Sequence, residues 1–230
     1  MAASAAVLAV EIFCAGALAL QAASVGLVLA RLRGRTPPAP ALPPATLLRP
    51  VCGLENNLEE TLASSFALSH PDYEVIFCVA EADDPVVPLV ERLIAAHPGV
   101  AARLLVGDER VSGNPKLNNL VKGWAAARHD WIAMTDSNVL LPPDYFATLF
   151  AHWTPGTGLV SSPPAGTQPA DFAAELECAF LDTYQARWQL AADQIGLGFA
   201  QGKTLFWRRD ILDAGGMGKL ADDQLSLIHI

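Results

Sequence analysis

Three short stretches of this 230-residue chain carry side chains whose types and spacing could do chemistry: Glu81, Asp83 and Asp84; Asn114, Pro115 and Lys116; and Asp136, Ser137 and Asn138. Asn114 before Pro115 is a good helix start, because Asn caps orphan N–H groups and Pro is tolerated at the first helical position. Lys116 then falls in the first turn, at the positive end of the helix dipole, where a cation is disfavoured. An exposed lysine costs only a few tenths of a kcal/mol there, so the placement is either a tolerated surface detail or a response to something anionic.

The elements that must position these residues follow from the apolar pattern. Ala45–Val51 (ATLLRPV) reads as a first strand, followed by a helix through NNLEETLASSFAL. Tyr73–Ala80 (YEVIFCVA) is nearly all apolar, as expected of a central parallel strand buried on both faces. Val86–Ala96 reads as the next helix and Ala102–Val106 as a third strand. The helix opened by Asn114 should run to about Arg128, with Trp131–Thr135 (WIAMT) as the fourth strand. Strands alternating with helices predict an α/β sheet with right-handed crossovers. Neither a G-x-G-x-x-G nor a G-x-x-x-x-G-K-[ST] fingerprint is present.

In such sheets ligands bind beyond the carboxyl ends of the strands. Both acidic stretches fall there. A single loop acid after a strand is usually a solvated turn residue or a helix cap. Two such sites after two strands, with an out-of-place lysine on the intervening helix, suggest more. Carboxylates alone would repel an anion, whereas carboxylates holding a divalent cation beside a lysine and a helix N-terminus would attract a pyrophosphate. That is the chemistry of a nucleotide-diphosphate donor.

Composition limits the partners. The formal net charge is −9 with scattered basic residues, which argues against a nucleic-acid partner. Hydrophobic content is 52% and mean hydropathy +0.30, so part of the chain is expected to meet lipid. Ile12 to Ala30 are 19 uncharged residues interrupted by one strongly polar side chain, Gln21. A cleaved signal peptide would carry a basic region before this run. Arg31, Arg33 and Arg35 follow it instead, so a membrane anchor with the rest of the chain in the cytoplasm is expected. The expected division is a transmembrane helix over 5–30, a basic and Pro-rich linker over 31–45, and a catalytic domain over 46–224. Cys14, Cys52, Cys78 and Cys178 show no C-x-x-C spacing and read as reduced, buried thiols.

LLRPVCGLENNLEETLASSF, YEVIFCVAEADDP, NPKLNNLVKG, TDSN and LADD, in that order, resemble the ceramide glucosyltransferase family of GT-A-fold glycosyltransferases. The likeness covers roughly Thr46 to Asp223 and includes bacterial relatives that glycosylate hopanoids. It implies a Rossmann-like, mostly parallel sheet behind one N-terminal transmembrane helix, in a bacterial inner membrane. The implied activity is inverting transfer of a hexose, glucose foremost, from a UDP-sugar to a lipid hydroxyl such as ceramide, with Mg2+ or Mn2+ as cofactor. By the same resemblance Asp84, with Asp83 as second choice, contacts the nucleotide. Asp136 helps hold the metal on the diphosphate, and Asn114 and Lys116 serve the donor phosphates. Gly202 precedes a strand lining the site, and Asp223 is the general base. The usual D-x-D is here Asp136-Ser137-Asn138, so one carboxylate is an amide. Where the family commonly has an acceptor-side histidine, this chain reads DTYQARW, and no acceptor residue is carried over.

Other residues read as structural. Asp144 is expected to cap a helix, the five histidines share no ligand spacing, and Trp188 and Trp207 are expected to pack in the core. The segment from Asp171 to Gly196 reads as a helix that shapes the acceptor groove. The family's Q/R-x-x-R-W motif is absent after Asp223, and the last six residues, LSLIHI, match the translation of a transposon end used as a sequencing adapter. Residues 225–230 are therefore expected to be read-through, and the truncated chain is expected to bind UDP without transferring sugar. A hopanoid-lipid glycosyltransferase, a processive polysaccharide synthase, and a nucleotide-sugar-binding membrane protein without turnover are the rival readings.

Overall fold

The apolar runs become strands, buried on both faces at the centre of the sheet in Ala45–Pro50, Tyr73–Val79 and Trp131–Thr135. In the computed structural model, which describes residues 2–34, 38 and 41–211, the strands are β1 (Ala45–Pro50), β2 (Tyr73–Val79), β3 (Ala101–Val106), β4 (Trp131–Thr135), β5 (Val160–Ser161) and β6 (Thr204–Arg208). They form one sheet in the order β3-β2-β1-β4-β6-β5. The first four in that order are mutually parallel, and β6 runs antiparallel to both β4 and β5. The first four strands lie within a residue or two of their expected limits.

Helices α2 (Leu58–Ala63), α3 (Val87–Ala96), α4 (Pro115–Ala126) and α5 (Tyr145–Ala151) cover the sheet. The expected helix over NNLEETLASSFAL is shorter, because α2 tightens into a 3₁₀ turn at Ser64–Phe66. Helix α4 stops at Ala126 rather than Arg128, since Ala127 is extended. Period-2 alternation divides the core. Leu47, Val75, Phe77 and Val79 face one layer with Leu62, Val90 and Phe146. Leu48, Ile76, Cys78, Ile132 and Met134 face the other layer, with Leu120 and Trp124 of α4.

Strand β1 has β2 on one side and β4 on the other, and the chain reaches them by crossovers in opposite directions. This is a topological switch point, where the carboxyl ends of neighbouring strands leave a crevice. The loops after β1 and β4 both open there.

A second unit is built from α1 (Ala2–Arg33) with the segment Pro163–Phe199. From Ser4 to Arg33, α1 is long and apolar enough to cross a membrane. The expected single helix of the second segment is three pieces: α6 (Phe172–Phe180), a π-helical turn at Leu181–Gln185, and α7 (Ala186–Gln194). Asp171 caps α6 by accepting from the Ala174 N–H at 2.9 Å. Gln21, the polar interruption in α1, accepts from the Arg187 guanidinium, which also donates to Ser24 Oγ at 3.1 Å. Arg31 pairs with Asp193 at 2.8 Å. These contacts lay α7 parallel to the last three turns of α1.

Several expectations on single residues change. Only Cys78 is a buried thiol; Cys178 is half-buried, and Cys14 and Cys52 are exposed, the first on a stretch of α1 exposed all round and the second in the loop after β1. Trp188 and Trp207 are half-buried; Trp188 lies against Arg187, and Trp207 packs at the margin of the second layer. Asp144 occupies the N-cap position of α5, but its side chain makes no capping bond to a backbone N–H.

Helix α4 approaches the sheet closely at Gly123, where an added Cβ would lie 2.5 Å from Cys78 Sγ. Gly123→Ala gains about 1 kcal/mol of helix propensity but overpacks a buried thiol, a penalty of about 1–3 kcal/mol. Urea unfolding should therefore show a net loss of stability. In a Cys78→Ala background the same substitution should be neutral or stabilising, and persistence of the loss there would rule out this contact as its cause.

Candidate functional site

The crevice is organised by a residue with no obvious place in a buried strand. Arg49, the fifth residue of β1, is fully buried, and the loss of hydration pushes its pKa down to about 10, only partly offset by Tyr145 and Asp136. Its Nη1 donates to the Thr61 carbonyl and Ser65 Oγ, both at 2.7 Å. Its Nη2 donates to the carbonyls of Asp136 at 2.7 Å, Ser137 at 3.0 Å and Val139 at 2.7 Å. One guanidinium thus binds the end of α2 to the loop that follows β4. Thr61 adds a bond from its hydroxyl to the Ser137 carbonyl at 2.7 Å.

With its backbone held from below, the Asp136 side chain points to the lysines. Its Oδ1 accepts from Lys116 Nζ, and its Oδ2 lies 3.4 Å from Lys203 Nζ. Lys203 also donates to Asn138 Oδ1 at 3.1 Å. All three charged side chains are mostly sheltered, at 24% exposure for Lys116, 13% for Asp136 and 15% for Lys203. Lys116 arrives from the first turn of α4, which Asn114 caps as expected by accepting from the N–H groups of Lys116 at 3.0 Å and Leu117 at 3.3 Å. Lys203 arrives from the residue before β6, and the pairing Thr135↔Thr204 sets it opposite Asp136. Its neighbour Gly202 is buried in the turn leading into β6.

Asp84 lies in the loop after β2. Its carboxylate accepts from the Gly53 N–H at 2.9 and 3.1 Å and from the Val86 N–H at 2.8 Å. It therefore ties the loop after β2 to the loop after β1, where Gly53 takes a positive φ of 64°. Asp83 is exposed and Asp84 half-buried. The thiol of Cys52 beside it is pushed up by partial burial and then by the Asp84 charge. Asp223 lies outside the described residues, as do residues 225–230.

The structure brings Lys116 and Asp136 into contact and adds three participants that sequence reasoning missed. Arg49 is one, and Lys203, which the resemblance placed beside Gly202 without a role, is another. The third is the pair Asn118 and Asn119 on α4: Asn118 Oδ1 accepts from the N–H groups of Val111 and Ser112 at 3.1 and 2.9 Å, and Asn119 donates to the Cys78 carbonyl at 2.7 Å. A charged residue inside an otherwise apolar strand, in LLRPV, was the available signal for Arg49. Two amides on one helix turn carried no such signal.

The described residues contain no group of three or more His, Cys, Asp or Glu able to hold a metal ion. A hard divalent cation needs fewer protein ligands when a diphosphate and water complete its shell. Asp136 offers one carboxylate and Asn138 one amide oxygen, a donor set that fits an ion carried in with a diphosphate.

Arg49→Lys tests the organising role. A lysine keeps the charge but cannot reach five acceptors in a planar fork. Leaving buried carbonyls unpaired should lower unfolding free energy by about 3 kcal/mol, read from the urea midpoint at unchanged m-value. A change below about 0.5 kcal/mol, within the range of ordinary surface substitutions, would show that the loop after β4 holds itself.

Comparison with known proteins places this geometry. The chain is 29% identical over 197 residues to ceramide glucosyltransferase 1 of Caenorhabditis elegans, covering 84% of this chain and 42% of that protein. It is 39% identical over 111 residues to the ceramide glucosyltransferase of Komagataella phaffii, covering 46% of this chain and 22% of the relative. The chain thus spans less than half the length of these relatives. Among solved structures, a mannosyltransferase from Pyrobaculum calidifontis in complex with GDP-Man and Mn2+ superposes with a TM-score of 0.59 at 22% identity, over 87% of this chain and 57% of that one. That likeness shows the fold, the GT-A arrangement of a mixed α/β sheet. The pattern of glycosyl transferase family 21 matches residues 9–225, and the chain belongs to that family.

Proposed function

We propose that this chain carries the nucleotide-binding half of a membrane-anchored inverting glycosyltransferase, moving a hexose, glucose foremost, from a UDP-sugar to a lipid hydroxyl such as that of ceramide. The observation that carries this reading is the Lys116–Asp136 contact at the switch point of the sheet, made by residues that the family resemblance assigns to the donor diphosphate. The α1 helix supports the anchor.

In this reading the diphosphate lies at the N-terminus of α4, where Lys116 and the positive end of the helix dipole meet its negative charge. Asp84 keeps the loops after β1 and β2 together, so that the nucleotide has a preformed floor. A bound divalent cation, Mg2+ or Mn2+, would share Asp136 with the diphosphate and neutralise part of its charge. Asp223 takes the proton of the acceptor hydroxyl as that oxygen attacks the anomeric carbon. The bond from that carbon to the diphosphate oxygen breaks, its electron pair leaves with UDP, and the configuration inverts.

Protein containing this chain, given labelled UDP-glucose and ceramide, should place label in organic-extractable lipid. Asp136→Asn should reduce that transfer by about 100-fold or more while the protein keeps its folded circular-dichroism spectrum. Label only in a water-soluble polymer would favour a polysaccharide synthase, and unchanged transfer by the Asn variant would remove Asp136 from the donor site.

A further inference from the structure

Asp136 faces two ammonium groups, and only one of them belongs to the N-P-K stretch. Lys203 stands on the opposite side, and its backbone is sealed to the end of β4. The Lys203 carbonyl accepts from Thr135 Oγ1 at 2.8 Å and from the Asp136 N–H at 3.4 Å. Its position is therefore set by the sheet, while its long side chain can still swing. The three side chains together carry one negative and two positive charges, so the sheltered cluster holds a net positive charge beside the N-terminus of α4.

That arrangement has two chemical consequences. A cation approaching Asp136 alone meets two ammonium groups that already occupy both carboxylate oxygens. A diphosphate offers those ammonium groups more charge and more acceptor oxygens than the carboxylate does. Once the lysines turn to the diphosphate, Asp136 is released for a cation. We propose that Lys203 is a second diphosphate-binding lysine and that, with Lys116, it withholds Asp136 from a divalent cation until a nucleoside diphosphate arrives. Diphosphate and cation then bind with positive coupling, each strengthening the other. The proposal rests on the donor-site reading above.

The test uses the full chain in detergent micelles and binding rather than turnover. Lys203→Met keeps the length and removes the charge. It should weaken UDP binding in the absence of metal by about tenfold or more and leave binding of uridine, which has no phosphate, unchanged. Binding of Mn2+ without UDP should become tighter, because one competing ammonium group is gone. Lys203→Arg should restore most of the UDP affinity. UDP affinity within twofold of the native protein, an equal loss for uridine, or Mn2+ binding that does not tighten would each overturn the proposal. If Lys116→Met weakens UDP binding and Lys203→Met does not, the donor site stands and the role of Lys203 falls. If the native chain binds no UDP, both fall together.

Discussion

The burial of one guanidinium is the constraint on which the rest of the site depends. Arg49 sits in β1 with no exposure to solvent, a position that normally selects an aliphatic residue. Its charge is tolerable only because five acceptors surround it, four of them backbone carbonyls. Three of those carbonyls belong to the stretch from Asp136 to Val139, which would otherwise be a loop free to choose its path. The same bonds that satisfy the arginine therefore aim the Asp136 side chain. A lysine, a point charge on a flexible stem, could not serve acceptors spread over a plane.

Above that floor the electrostatics are arranged in opposition. Lys116 stands at the end of a helix that repels it, and Asn114 satisfies the N–H groups that would otherwise attract an anion directly. Asp136 compensates Lys116, and Lys203 over-compensates Asp136. A crevice holding two sheltered cations for one anion is poised for a ligand with more negative charge than a carboxylate. This holds although the whole chain carries a net charge of −9, because local field, not overall balance, governs a partly buried site.

The helical unit follows the same logic with different chemistry. A glutamine and a serine in an apolar helix would each be a burden in lipid, and Arg187 gathers both. The neighbouring α6 exposes Phe172, Leu176 and Phe180 at intervals of four residues, an apolar line that its sequence already displayed. The π-helical turn after it was not visible in that pattern, since one added residue per turn leaves a three-and-four periodicity looking intact.

By itself the sequence determined the parts governed by local rules. Continuous apolar runs became β1, β2 and β4 because parallel central strands bury both faces. Asn114 and Pro115 opened α4 because capping needs only neighbours within a turn. The apolar length of α1 and the ordered family motifs were likewise legible. What only the tertiary structure decided depends on residues far apart in the chain meeting at one point. Arg49 and Val139 are ninety positions apart, and Lys203 meets Asp136 across an antiparallel register that no local pattern specifies. β5, two residues long, left no periodicity to read. Asp84 looked like a ligand from its place after a strand, and the fold also made it a clamp on the Gly53 loop, because a half-buried carboxylate takes the backbone N–H groups within its reach.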